Sequence, residues 1–213
     1  MNEFEFIVDI IKKHQTEKRY THTLGVSEEA YKLGKIFIPE KADKLKIAGL
    51  LHDITKDFSL EKQLSLCDEY RITLDKDNLV PKLLHSKTGC EYAKRLFGSD
   101  IVDEEIYNAI LFHTTGRENM TLFESLVYLA DYIEPGRTFD DCVLLRDYFY
   151  ELLDGAENLE ARKYILINTL IFSFNLTIQN LIDEGKSIDF DTIRARNYYL
   201  KLKKESERGT LNE

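Results

Sequence analysis

The stretch "GLLHDITK", Gly49 to Lys56, sets Leu50 and Leu51 directly against the titratable pair His52 and Asp53. Carboxylates are seldom buried without a partner, so an aspartate at the end of an apolar run needs one. Leu45, Ala48, Leu51 and His52 recur at helical spacing, and the segment reads as a helix that turns His52 inward. The period continues on both sides. Phe4, Ile7, Val8 and Ile11 mark one face of a first helix, and a second is expected from near Thr21 to before Pro39. Leu60 to Tyr70 reads as a fourth helix. Another runs from about Leu83 to Phe97, where Gly98 stops it, and the next spans Glu104 to His113. "TLFE", Thr121 to Glu124, reads as a capping box that opens the helix carrying Asp131, and Pro135 with Gly136 ends that helix. The stretch "DCVLLRDYFYELLDG" (Asp141 to Gly155), the separate long segment from Leu159 to Glu184, and Asp191 to about Lys204 complete the series, while "DKDNLVPK" reads as a loop with Pro81 near a helix start. No segment alternates with the period of a strand, so the expected fold class is all-α, a helical bundle.

The 213 residues suffice for one domain with a substantial core; two small domains stay open, but no Pro/Gly/Ser-rich linker divides the chain. One domain is expected over 1–196, followed by a charged tail over 197–213. The net charge of −9 argues against a nucleic-acid binder, since phosphate affinity rests on clustered Lys and Arg. A small phosphorylated substrate stays open, because a metal can supply positive charge locally. Cys67, Cys90 and Cys142 are scattered, which fits core filling in a reducing, cytoplasmic setting. Glu3, Glu5 and Asp9 make the N-terminus unlike a signal peptide. Tyr164 to Ile178 is the most apolar stretch, but Asn168, Ser173 and Asn175 interrupt it and it is short for a membrane span. A buried central helix and no membrane partner are expected.

Four of the five histidines sit beside apolar residues: His22 in "RYTHTLGV", His52 in "LLHDITK", His85 in "KLLHSKTG" and His113 in "ILFHTTGR". Asp131 in "VYLADYIEPGR" has the same kind of setting. Any one histidine taken alone reads as a core residue satisfied by a neighbour. Four of them and two aspartates could instead converge in a bundle core, which is how bundles build metal sites. Nitrogen and oxygen donors without thiolate suit Fe, Mn, Zn or Co. Lys56, one turn after His52, can point the same way and contact a polyphosphate. Arg117 and Arg137 could clamp phosphate oxygens or equally serve as surface ion-pair residues, with Lys87 and Thr114 as weaker candidates. Arg19 could partner a carboxylate. His14 belongs to no motif and reads as structural or partly exposed. Aromatics such as Tyr148 and Phe149, read as exposed, would suit a homodimer.

The order His, His-Asp, His, His, Asp resembles the HD-domain superfamily of metal-dependent phosphohydrolases. "RYTHTLGV", "LLHDITK", "LLHS", "HTTGR", "LADYIEPGR" and "LRDYFYELL" resemble the YqeK family more closely, over roughly Lys13 to Leu181. The resemblance implies an all-helical HD domain that cleaves diadenosine tetraphosphate symmetrically to two ADP at a buried two-metal centre favouring iron. By motif, His22, His52, Asp53 and Asp131 would hold one metal and His85 and His113 the second, with Asp53 bridging. From their positions beside these ligands, Asp53 and Lys56 are expected to be catalytic, and Lys56, Thr114, Arg117 and Arg137 to bind substrate. A single-metal site needs only the first four ligands, so His85 and His113 favour two metals. Two cations about 3.5–4 Å apart can share a hydroxide and hold it in line with a phosphorus. The same site could instead act on mononucleotides, deoxynucleoside triphosphates or guanosine alarmones, since pockets vary on one fold. It could also serve as a metal-based sensor without turnover.

Overall fold

A computed structural model of the chain describes residues 3–74 and 81–209. Ten α-helices and one 3₁₀ turn, Pro39–Lys41, make up its regular structure, with no strand among the described residues. They are α1 Glu3–His14, α2 Glu17–Phe37, α3 Ala42–Leu51, α4 Leu60–Tyr70, α5 Pro81–Phe97, α6 Glu104–Phe112, α7 Leu122–Ile133, α8 Asp140–Asp154, α9 Leu159–Asp183 and α10 Phe190–Gly209. The all-α expectation holds. Residues 75–80 of the expected loop lie outside the described residues.

Side-chain caps set several helix starts. Thr16, Ser59, Asp103 and Asn158 each accept a hydrogen bond from the backbone N–H three residues on, opening α2, α4, α6 and α9. The Thr16 cap starts α2 earlier than the expected Thr21. Gly98 ends α5 with φ +81, a conformation natural to glycine.

The chain forms two compact units. The first comprises Met1–Thr114 with Leu122–Gly136, and so holds α1 to α7. In it α2 packs on α3 and α7, α6 on α5 and α7, and α1 on α3. Ile7, Ile11, Val26, Leu45, Leu50 and Leu129 are among its fully buried side chains.

The second unit comprises Thr115–Thr121 with Arg137–Glu213, where α9 packs on α8 and α10. Gly116 (φ +65) lies against the Phe174 ring, and a Cβ there would come within 2.7 Å of it. The residues from Asn197, read as a tail, continue α10 to Gly209. The long helix α9 is apolar enough to cross a membrane by length and composition, and buries one side through Leu166, Leu170 and Phe174. Phe149 corrects an expectation. It is fully buried, because it shares a helical face with Cys142 and Leu145, while Tyr148 is half-buried with its ring 5.1 Å from Phe172.

Candidate metal centre

The first unit brings His22, His52, Asp53, His85, His113 and Asp131 together. His22 comes from α2, His85 from α5 and Asp131 from α7. His52 and His113 directly follow the last residues of α3 and α6. Lys56 was expected on the same helix as His52. Instead α3 stops at Leu51, and hydrogen bonds from Ile54 to Leu51 and from Lys56 to Asp53 wind the chain into tight turns. Two helix C-termini thus end at the cluster, and their partial negative charge favours a cation.

The imidazoles follow one another, with centroids 5.4 Å apart for His22 and His52, 5.0 Å for His52 and His113, and 4.9 Å for His113 and His85. Asp53 lies among them, 2 % exposed. Its Oδ2 faces one pair, 3.4 Å from His52 Nε2 and 3.9 Å from His22 Nε2. Its Oδ1 faces the other, 3.1 Å from His85 Nε2 and 3.3 Å from His113 Nε2. Asp131 Oδ1 lies 3.0 Å from His22 Nε2 and 3.6 Å from His52 Nε2.

This donor set fits divalent cations. His52 Nε2 and Asp53 Oδ1 are buried and make no hydrogen bond, a costly state that a cation would relieve. His85 Nε2 and His113 Nε2 face each other at 3.0 Å. His52 and His113 place Nδ1 2.7 Å from the carbonyls of Gly49 and Ile110. A carbonyl only accepts, so both Nδ1 atoms donate, which leaves the Nε2 lone pairs directed at the cluster. Among the described residues, three overlapping trios have donor atoms close enough to share an ion: His22, His52 and Asp53; His52, His113 and Asp131; and Asp53, His85 and His113.

Electrostatics favours the same states. Burial pushes His52 down from its ordinary value, and burial aided by Lys56 pushes His85 down to about 3. Burial alone would raise Asp53, but His52, His113 and His85 together hold its carboxyl well below the usual range. The neutral rings of His52 and His85 beside an ionised Asp53 suit metal ligation. The unfolded chain then takes up histidine protons below about pH 6.5 that the folded chain refuses. Stability is present above that pH and is lost as pH falls toward the lowered folded values. We expect the melting temperature of chelator-treated protein to drop between pH 7.5 and 5, with each of the two histidines contributing up to about 1.4 kcal/mol per pH unit. A flat profile in a melting series would contradict two buried neutral histidines.

The surrounding residues include several expected ones. Arg19 Nη1 lies 2.7 Å from Asp53 Oδ2, the carboxylate partnership read from sequence. Lys56 Nζ sits 3.1 Å from His85 Nε2 and 4.0 Å from Asp53 Oδ1. Thr114 Oγ1 lies 3.1 Å from both His85 Nε2 and His113 Nε2. Arg117 and Arg137 fall in the second unit, both half-buried. His14 is structural, with Nδ1 2.8 Å from the Ile10 carbonyl and Nε2 2.8 Å from the Tyr92 hydroxyl.

Other residues near the cluster were not singled out in the sequence. Gln15 donates to the Asp53 carbonyl at 3.1 Å. Thr55 donates to the His85 carbonyl at 2.9 Å and lies the same distance from Thr88, whose hydroxyl reaches Gln63. Glu134, 3 % exposed, places Oε1 3.0 Å from His22 Nδ1.

The HD domain family matches residues 19–136. A Halalkalibacterium halodurans protein named "Bis(5'-nucleosyl)-tetraphosphatase, symmetrical" is 34% identical over 193 residues, covering 91% of this chain and 95% of its own. A Staphylococcus aureus protein of the same name is 34% identical over 190 residues, covering 89% and 91%. A Clostridium acetobutylicum crystal structure, described as a "predicted HD superfamily hydrolase involved in NAD metabolism", superposes with a TM-score of 0.81 at 39% identity, over 94% of this chain and 98% of that one.

Proposed function

Since the chain belongs to the HD-domain hydrolases, in the family of symmetrical bis(5'-nucleosyl)-tetraphosphatases, we propose that it hydrolyses diadenosine tetraphosphate and water to two ADP, in the cytoplasm, with two divalent metals, iron preferred. The observation that carries this reading is the orientation of Asp53, whose two oxygens face two separate histidine pairs. His22, His52, Asp53 and Asp131 would hold one cation, and His85 and His113 with the other oxygen of Asp53 the second. Bound there, the cations supply Lewis acidity, which activates water and offsets phosphoryl charge. The relatives' names support the substrate, and the three buried cysteines, which are thiols, suit a reducing compartment.

The chain's own residues do the rest. Asp53 keeps both histidine pairs in register through its short, buried side chain. Lys56 brings an ammonium to the edge of the cluster, where charge on a polyphosphate would gather, and the Thr114 hydroxyl sits on the same side as His85 and His113. Cleavage between the two central phosphates expels ADP. Its phosphate oxygen leaves readily, so no strong general acid is required.

The test is to load the protein with ferrous iron without oxygen, offer diadenosine tetraphosphate and separate the products. ADP alone is expected. ATP with AMP would keep a hydrolase but overturn symmetrical cleavage. No turnover with two irons bound would overturn the substrate and favour another nucleotide or a sensing role.

A further inference from the structure

Glu134 lies behind the cluster, beyond the ring of donors that faces it. We infer that Glu134 is a positioning residue, holding His22 with hydrogen on Nδ1 and its Nε2 lone pair toward the cluster, and so strengthening the metal position shared by His22, His52, Asp53 and Asp131. The inference rests on reading the cluster as a metal centre.

Hydrogen-bond logic supports it first. The Gly136 N–H donates to Glu134 Oε2 at 2.6 Å, while Oε1 lies 3.0 Å from His22 Nδ1. An ionised carboxylate accepts at both oxygens, so the ring nitrogen facing it must carry the hydrogen. Space supports it independently. A Cβ built on Gly25 of α2 would overlap Glu134 Oε2, and one on Gly136 would come within 2.9 Å of it. Two glycines on separate segments leave room for this carboxylate.

The contrast with the other rings gives the role its content. His52 and His113 give their Nδ1 hydrogens to neutral backbone carbonyls. A carboxylate on His22 makes that imidazole the stronger donor to a cation, as outer partners of metal-bound histidines do. Glutamine would keep the shape but not the acceptor count. Its single oxygen can serve Gly136 or His22, and an NH₂ facing Nδ1 would drive the ring hydrogen onto Nε2, toward the metal.

The experiment titrates metal-free protein with Zn2+ by calorimetry and records the histidine ring protons of the zinc-loaded protein by NMR. Wild type is expected to bind two ions and to show a slowly exchanging, downfield Nδ1 proton on His22. Glu134→Gln is expected to weaken one of the two ions by about 10- to 100-fold, leave the other unchanged, and lose that proton signal. Two unchanged affinities with the signal retained would leave Glu134 as a plain acceptor for Gly136 and overturn the inference alone. Absence of the Nδ1 signal in wild type would overturn it whether or not the variant folds. Wild type that binds no Zn2+ would overturn the metal-centre reading itself.

Discussion

Asp53→Ala is expected to lose both metals and at least about 10⁴-fold of the hydrolytic rate, since activation of water and stabilisation of phosphoryl charge would vanish together. Asp53 is the residue whose two oxygens face both histidine pairs, so its removal opens both positions at once. Failure to fold is not the expected cause. Arg19, which loses its closest partner, keeps Asp57 with Nε to Oδ1 at 3.7 Å, and the four imidazoles are no longer gathered around a buried anion. Circular dichroism should therefore match wild type while elemental analysis falls from two metals per chain to none. His113→Ala sets the contrast, since His113 reaches Asp53 only through Oδ1. That variant should keep one metal. If Asp53→Ala retains two, the bridging role is wrong; if His113→Ala retains two, that ligand assignment is wrong.

The fold was legible wherever local chemistry settled it. Leu60–Tyr70 matches α4 at both ends because Ser59 caps its start, and the end of α5 was marked by Gly98. The start of α2 was hidden because Thr16 caps a first turn, Glu17 to Arg19, with no apolar residue to signal it. The end of α3 was hidden for a related reason. No glycine or proline follows Leu51, and the departure into tight turns is seen only in the hydrogen bonds after it. The residues that cluster were legible because histidines and aspartates beside apolar residues are chemically conspicuous. Their supports were not. Glu134 precedes Pro135 and Gly136 and looks like a solvated turn residue, yet the missing Cβ of Gly25 on a distant helix gives it a buried place. Thr55 and Gln15 likewise act through backbone carbonyls, which no sequence pattern announces. The division into two compact units has no mark in linker composition.

The second large effect is expected at a residue with no side-chain donor of its own, in Gly49→Ala. A Cβ on Gly49 would lie 2.7 Å from the Ser27 Cα, 3.0 Å from the Ser27 nitrogen and 3.0 Å from the Val26 carbonyl oxygen. All three are backbone atoms of α2, which cannot rotate aside, so α2 and α3 must move apart. The Ser27 hydroxyl bond to the Lys46 carbonyl, 2.8 Å, would be strained by the same shift. Alanine gains about 1 kcal/mol of helix propensity over glycine, but overpacking against rigid backbone costs about 1–3 kcal/mol or more. The net loss should lower the melting temperature by several degrees, at about 2–4 °C per kcal/mol for a chain of this size. The separation also parts His22 on α2 from His52 and Asp53 after α3. Metal binding should therefore weaken most at the position those three share, with the His85 and His113 pair less affected. Gly89→Ala is the control on the same cluster. Its Cβ would meet Thr55 Oγ1 at 3.4 Å and Ile110 Cγ2 at 3.5 Å, ordinary contacts, so propensity should prevail and stability should hold or rise by up to about 1 kcal/mol. Thermal melts and metal titrations of the two variants decide the matter, for equal behaviour would mean that close approach of α2 and α3 does not set the spacing of the site.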